Sequence, residues 1–204
     1  MSKKRDAEAS IKKILDAAKI IFAKKGYHRT TLSEIGEKSG LSRTTPSYFF
    51  KNKENLYKTL IDSLIEDEKN YVSNLTFEGE VTIEALKDLL SRHIGYTFEN
   101  PYLSKIIIWE SLDDNRQDWI HSYFPDVMHW SHIYLEQAKK QGLLHEEIDT
   151  YSLWLNAMAM AWLPIITEHT FMHSIHRDIS SPEFLAFHKR QVEILIFESI
   201  LKKE

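Results

Sequence analysis

Apolar residues recur every three to four positions along most of this chain, and no stretch alternates apolar and polar residues in the period of two that a half-buried strand requires. An all-α fold of about nine helices is therefore expected. Ile11, Ile14, Leu15, Ala18, Ile21 and Phe22 lie on one face of a first helix that Gly26 can stop in a left-handed conformation. Thr31 with Glu34 three residues on has the form of a capping box, opening a second helix that Gly40 ends after about Ser39. Leu41 plugs the turn and Ser42 is the next N-cap. Asn52 caps a long helix to about residue 71, with Leu56, Leu60, Leu64 and Ile65 on its apolar side. Further helices are expected over residues 82–98, 101–112, 119–141 and 150–173, and from Pro182, behind a Ser181 cap, through residue 202. Residues 76–80 read as a loop.

Hydrophobic residues make up 43% and charged ones 27%, which suits a folded globular chain of 204 residues. The absence of cysteine removes disulfides, zinc–thiolate sites and thiol nucleophiles. Charge is unevenly placed: residues 1–58 hold 14 Lys and Arg against 6 Asp and Glu, and the remainder 12 against 24. A basic end on an acidic body suits a polyanion at that end, although a merely solvated charged face has the same composition. MSKKRDAEAS leads into an amphipathic helix, not the apolar core of a signal peptide. The most apolar run, residues 153–166, is interrupted by Asn156 and Pro164 and falls short of the roughly 20 residues that span a bilayer. A buried helix, no membrane partner and a cytoplasmic location are the expectations.

A helix, a turn at Gly40 and Leu41, and a short helix from Ser42 make a helix-turn-helix, whose second member enters the major groove. The stretch ILDAAKIIFAKKGYHRTTLSEIGEKSGLSRTTPSYFFKNKENLY resembles the DNA-binding domain of the tetracycline-repressor (TetR) family of transcriptional regulators, the likeness covering residues 10–57. The resemblance implies a three-helix DNA-binding domain over residues 1–52. It also implies a larger helical ligand-binding and dimerisation domain over residues 53–204, and a homodimer on a palindromic operator released by a small-molecule effector, with no cofactor. Where most members carry a tyrosine this chain has Ser47, and neighbouring Tyr48 can take its place.

With Ser42 as cap, Pro46 stands at the fourth helical position, where it deletes the first intrahelical hydrogen bond and pushes Thr45 away from helical geometry. The recognition helix should start tight, late or irregular. By chemistry, Arg43 can fork onto guanine, and Thr44 and Thr45 can offer a hydroxyl or a thymine-methyl contact. Thr31 and Lys53 can hold phosphates. Lys3, Lys4 and Arg5 are either a flexible arm on the duplex or a solubilising tail. Leu41, Phe49 and Phe50 are expected to pack the recognition helix from behind.

In the acidic body, Trp154, Trp162, Phe184, Phe187, Leu195 and Phe197 supply apolar area for pairing two subunits through the last two helices, the family's usual surface, or for the core. Phe98, Tyr102, Trp109, Met128, Trp130, Met158 and Trp162 are the side chains of an expected effector cavity for an apolar or aromatic molecule, with His129, His132 or Asn156 to orient its polar group. An alternative is a metal-sensing regulator using His169, His173 and His176, whose spacing can chelate zinc or nickel, although HExxH and cysteine are both lacking. No metal is assigned. Another alternative is a helical adaptor without DNA affinity. Without a nucleophile elbow, phosphate loop or dinucleotide fingerprint, an enzyme is not expected.

Overall fold

The computed structural model describes residues 2–72, 80–112 and 132–200. Among these the chain forms α1 (Ser2–Lys25), α2 (Leu32–Lys38), α3 (Thr45–Phe50), α4 (Lys53–Val72), α5 (Ile83–Glu99), α6 (Tyr102–Leu112), α7 (His132–Lys140), α8 (Thr150–Ile166), a π-helical turn (Glu168–Met172) and α9 (Pro182–Ile200). The all-α expectation holds. Most of the expected loop at 76–80, and the expected helix before residue 132, lie outside the described residues. No helix among those described is long and apolar enough to cross a membrane.

The chain divides into two compact units: one runs to Asp67 and includes α6, the other holds residues 68–101 and the described residues from His132 onward. In the first unit α1 buries Ile14, Ala17, Ala18 and Phe22, as its periodicity requires. Full burial of a side chain such as Phe22 contributes about 1.5–3 kcal/mol. Its ring meets Tyr57 edge-on at 4.7 Å and lies near-parallel to Tyr27 at 6.2 Å. The Tyr57 hydroxyl donates to the buried Glu110 carboxylate on α6. Burial, then that carboxylate, raises the Tyr57 pKa far above the usual phenol range, so it remains a donor. The Trp109 indole N–H donates to the Ala23 carbonyl at 3.0 Å, tying α6 to α1. Helix α1 begins at Ser2, so the backbone of Lys3, Lys4 and Arg5 is helical. Ala7, Glu8 and Ala9, good helix formers, carry the helix back through them.

In the second unit Leu86, Leu90 and Ile94 of α5 pack with Leu153 and Ala161 of α8 and Val192, Ile196 and Phe197 of α9. Thr82 caps α5, Asp149 caps α8 and Ser181 caps α9, each side chain accepting an otherwise unpaired amide. Between α4 and α5, His93 Nδ1 and a Glu68 carboxylate oxygen are 2.6 Å apart, with both residues buried.

The helix expected over residues 150–173 is instead α8, a C-cap at Thr167 and a π-helical turn in which the Met172 amide reaches the Thr167 carbonyl at 3.2 Å. Pro164 sits inside α8 without ending it. Having no N–H, it leaves the Met160 carbonyl without its usual helical donor. His188 Nε2 of α9 donates to that carbonyl at 2.9 Å. A carbonyl only accepts, so Nε2 carries the proton. His188→Leu is expected to lower stability by about 1 kcal/mol in thermal unfolding, the lower end of the cost of an unmet acceptor because this carbonyl is only half-buried, whereas His188→Gln should lose less.

Burial lowers the His188 pKa from its ordinary 6.5, against a smaller opposing effect of the Met160 carbonyl. The unfolded chain therefore takes up its proton first as pH falls. Stability from this group is complete above the ordinary imidazole range and is lost on acidification through it. The loss of Tm from neutral to mildly acidic pH should be smaller in His188→Gln than in the wild type.

Candidate nucleic-acid interface

The site is built on α2, a turn and α3. Thr31 begins it: its hydroxyl accepts from the Glu34 amide at 3.2 Å, while its own amide donates to the Glu34 carboxylate at 3.4 Å, completing the capping box. Lys25 pairs with the same carboxylate and is the first cause of its lowered pKa. Gly40, at φ 71, turns the chain as only glycine readily does, and the Leu41 amide donates to the Gly36 carbonyl at 3.1 Å. Here α2 and the turn approach closely. A Cβ on Gly36 would stand 2.6 Å from the Ser42 carbonyl oxygen and 2.8 Å from the Arg43 Cα.

The recognition helix starts later than a Ser42 cap implies. Its N-cap is Thr44, without a side-chain cap bond, and Pro46 is the second residue of α3. The Ser42 hydroxyl is instead 3.0 Å from the hydroxyls of both Thr44 and Thr45. The later start removes the hydrogen bond the proline was expected to delete, while Thr45, expected to be pushed out of helical geometry, is the first residue of α3. At the second helical position the amide has no intrahelical partner to lose, and the fixed φ suits the first turn. The Pro46 ring is buried with Phe50, while Phe49 and Leu41 are half-buried. Thus the proline pins α3 from behind.

On the opposite side Ser42, Arg43, Thr44, Ser47 and Tyr48 are exposed and Thr45 is half-buried; Tyr48, at 81%, projects most. Arg43 pairs with Glu37 on α2 and keeps a largely exposed side chain. Such an exposed pair contributes little to stability, so the guanidinium is held in place and easily released. Lys53 is placed differently from the other predicted positions. It is half-buried, its ammonium lies 4.3 Å from the Tyr27 ring centre, and it donates to the carbonyls of Tyr27, Thr30 and His28.

The described side chains expected around an effector fall in both units. Phe98 lies 6.1 Å from the Phe184 ring in the second unit, where Trp162 also packs on the core. Met158 is half-buried on α8. Tyr102 and Trp109 belong to the first unit, with Lys19 over the Tyr102 ring at 5.3 Å and Arg29 over Trp109 at 4.7 Å. Met128, His129 and Trp130 lie outside the described residues. His132 is buried against Tyr151 and 3.1 Å from the Thr150 hydroxyl, while Asn156 is exposed and donates to the Ser152 carbonyl.

His169, His173 and His176 line a shallow pocket with Glu168, Arg177, Asp178 and Ile179. No three His, Cys, Asp or Glu side chains among the described residues form a group that could hold a metal ion. Of the apolar residues expected to pair two subunits, Phe187 and Leu195 are exposed at 58% and 60%, whereas Phe197 belongs to the core. Leu155, Leu163, Phe171 and Ile175 are more than half exposed as well.

Sequence reading missed Gly36, whose only sign is a glycine inside a helical pattern. It also missed the Glu68–His93 and Tyr57–Glu110 pairs, which bring together residues far apart in the chain and have no local signal.

Residues 14–60 match the family described as bacterial regulatory proteins, tetR family, and residues 83–196 match the tetracyclin repressor-like C-terminal domain. The chain is 36% identical over 78 residues to the HTH-type transcriptional regulator TtgR of Pseudomonas putida, a match covering 38% of this chain and 37% of TtgR. It is 36% identical over 110 residues to the HTH-type transcriptional regulator RutR of Escherichia coli, covering 53% and 50%. The matched stretches thus span half or less of those regulators. A TetR family transcription regulator from Marinobacter aquaeolei superposes over 100% of both chains with a TM-score of 0.73 at 14% identity, a likeness of fold.

Proposed function

The chain belongs to the TetR family of bacterial transcriptional regulators, and on that footing we propose that it is a ligand-responsive repressor that binds a palindromic operator as a homodimer. The observation that carries this is the two-sided recognition helix with the turn that leads into it, Pro46 and Phe50 being buried and Arg43, Thr44, Ser47 and Tyr48 exposed. Such a helix can enter a major groove without unpacking the unit that carries it. Arg43, Thr44 and Thr45 read base edges, Ser47 and Tyr48 take phosphate or base contacts, and Ser42 and Thr31 position the helices on the backbone.

Residues 1–52 carry the DNA contacts, and residues 53–204 take an effector and pair the subunits. The half-exposed apolar side chains Leu155, Leu163, Phe187 and Leu195 support pairing, because such residues are seldom left to water in numbers. Two heads then meet half-sites one helical turn apart. The effector is an apolar or aromatic molecule, in keeping with Phe98, Phe184 and Trp162 in the second unit. It favours a dimer whose heads no longer match the half-site spacing, which releases the operator. A metal-sensing reading has no support from His169, His173 and His176 as they stand.

Gel shift against promoter fragments from the native genome, at several salt concentrations, tests this. A steep salt dependence with sequence preference is the expected result, and a chain that leaves every duplex unshifted is the adaptor instead. Arg43→Ala should remove about 1–3 kcal/mol of discrimination at one base pair per half-site while nonspecific binding persists. Equal preference in variant and wild type would take Arg43 off the base edges.

A further inference from the structure

Lys53 is the first residue of α4, directly after the recognition helix and its turn. The carbonyls it reaches belong to the loop directly before α2: Tyr27 at 2.9 Å, Thr30 at 3.0 Å and His28 at 3.5 Å. One ammonium thus joins the two ends of the helix-turn-helix segment, residues 31–52. An ammonium has three N–H donors, and here they face three carbonyl acceptors. The Tyr27 ring lies against the same group at 4.3 Å, a cation–π contact that favours keeping the charge there.

The loop is also stiffened from within. Thr30 is buried, its hydroxyl donates to the Gly26 carbonyl at 2.8 Å, and its amide donates to the Tyr27 carbonyl at 3.2 Å. The Tyr27 carbonyl therefore accepts from both the Thr30 amide and Lys53. Burial lowers the Lys53 pKa from its ordinary value, in keeping with a charge drawn partly out of water.

We propose that Lys53 is a positioning residue for DNA binding, a clasp that closes both ends of the helix-turn-helix through the carbonyls of Tyr27, His28 and Thr30 instead of pairing with a phosphate. The proposal rests on the duplex-binding reading of the first unit. A phosphate contact and a clasp differ in one measurable respect. A lysine on a phosphate displaces counterions, and its loss lowers the slope of log affinity against log salt by about 0.9 per contact. A clasp displaces none.

The test is equilibrium binding of the full chain to a fluorescently labelled mixed-sequence duplex, by anisotropy across about 50 to 200 mM salt. The temperature is set well below the unfolding transition of every variant, as checked by circular dichroism. For Lys53→Ala the expected result is a loss on the order of tenfold in affinity with the wild-type salt slope. Lys53→Arg, which keeps charged donors, should recover most of the affinity. Lys53→Gln, a neutral donor, should recover part of it, again with the slope unchanged; these two variants carry the test if the alanine variant does not fold.

A slope lower by about 0.9 per head in the Ala and Gln variants assigns Lys53 to a phosphate and overturns the clasp. Full affinity in folded Lys53→Ala overturns it too, leaving a purely structural contact. A wild-type chain that binds the duplex without salt dependence sinks the duplex-binding reading and the clasp with it. That result is distinct from a binding wild type with an altered variant slope.

Discussion

Replacing Gly36 with alanine should abolish sequence-specific DNA binding and lower the melting temperature, although the same change in an ordinary helix interior stabilises by about 0.5–1 kcal/mol. The sign reverses because the added methyl has no space. It would stand 2.6 Å from the Ser42 carbonyl oxygen and 2.8 Å from the Arg43 Cα, and both are backbone atoms that no rotamer change can move aside. Relief requires α2 and the turn to separate, and overpacking of this kind costs about 1–3 kcal/mol. The larger effect is on recognition, since the displaced segment carries Arg43 and leads into α3. Losing one bidentate base contact in each of two half-sites removes roughly 2–6 kcal/mol of specific binding. Anisotropy with a promoter duplex and a thermal melt on the same sample would check both. An alanine variant that is more stable and still binds would mean that α2 and the turn are not in contact at Gly36.

His93→Leu is expected to cost about 3–5 kcal/mol of stability, because it removes the hydrogen-bond partner of a buried carboxyl group. Glu68 and His93 are 8% and 7% exposed, and His93 Nδ1 lies 2.6 Å from the Glu68 carboxylate. The pair is not an efficient source of stability, since His93 Nε2 is buried with no hydrogen-bond partner among the described residues. An unmet polar atom of that kind costs about 1–3 kcal/mol. The double variant Glu68→Met with His93→Leu should therefore recover most or all of the loss, giving a coupling energy large against either single change. Chemical denaturation of the four proteins measures the cycle. Additive losses would show that the two side chains act independently.

The helical class, the capping box at Thr31, the Gly40 turn, the Asn52 cap and the Ser181 cap were all legible in the chain. Each is written in residues three or four apart, and the hydrogen bonds involved are local. The charge division and the outward positions around Arg43 were legible for a related reason: a short helix has only one face that its apolar residues can bury. The start of the recognition helix was not. A serine and a proline four residues apart allow two cap positions, and the burial of Pro46 and Phe50 selects the later one. The long helix expected over 150–173 failed on similar grounds, because periodicity does not distinguish an α-helix from the π-helical turn that follows Ile166.

Lys53 makes the same distinction at a single residue. Its position after a cap marked it as a cation near a helix start, but which oxygens it meets depended on a loop more than twenty residues earlier in the chain. The Glu68–His93 pair and the His188 donor to the Met160 carbonyl share that origin. Local patterns determine which segments become helices and where they stop, because their energies arise within one turn. Which helix supplies a missing donor and which charge is committed inside the molecule are properties of distant segments brought together, and only the packed structure decides them.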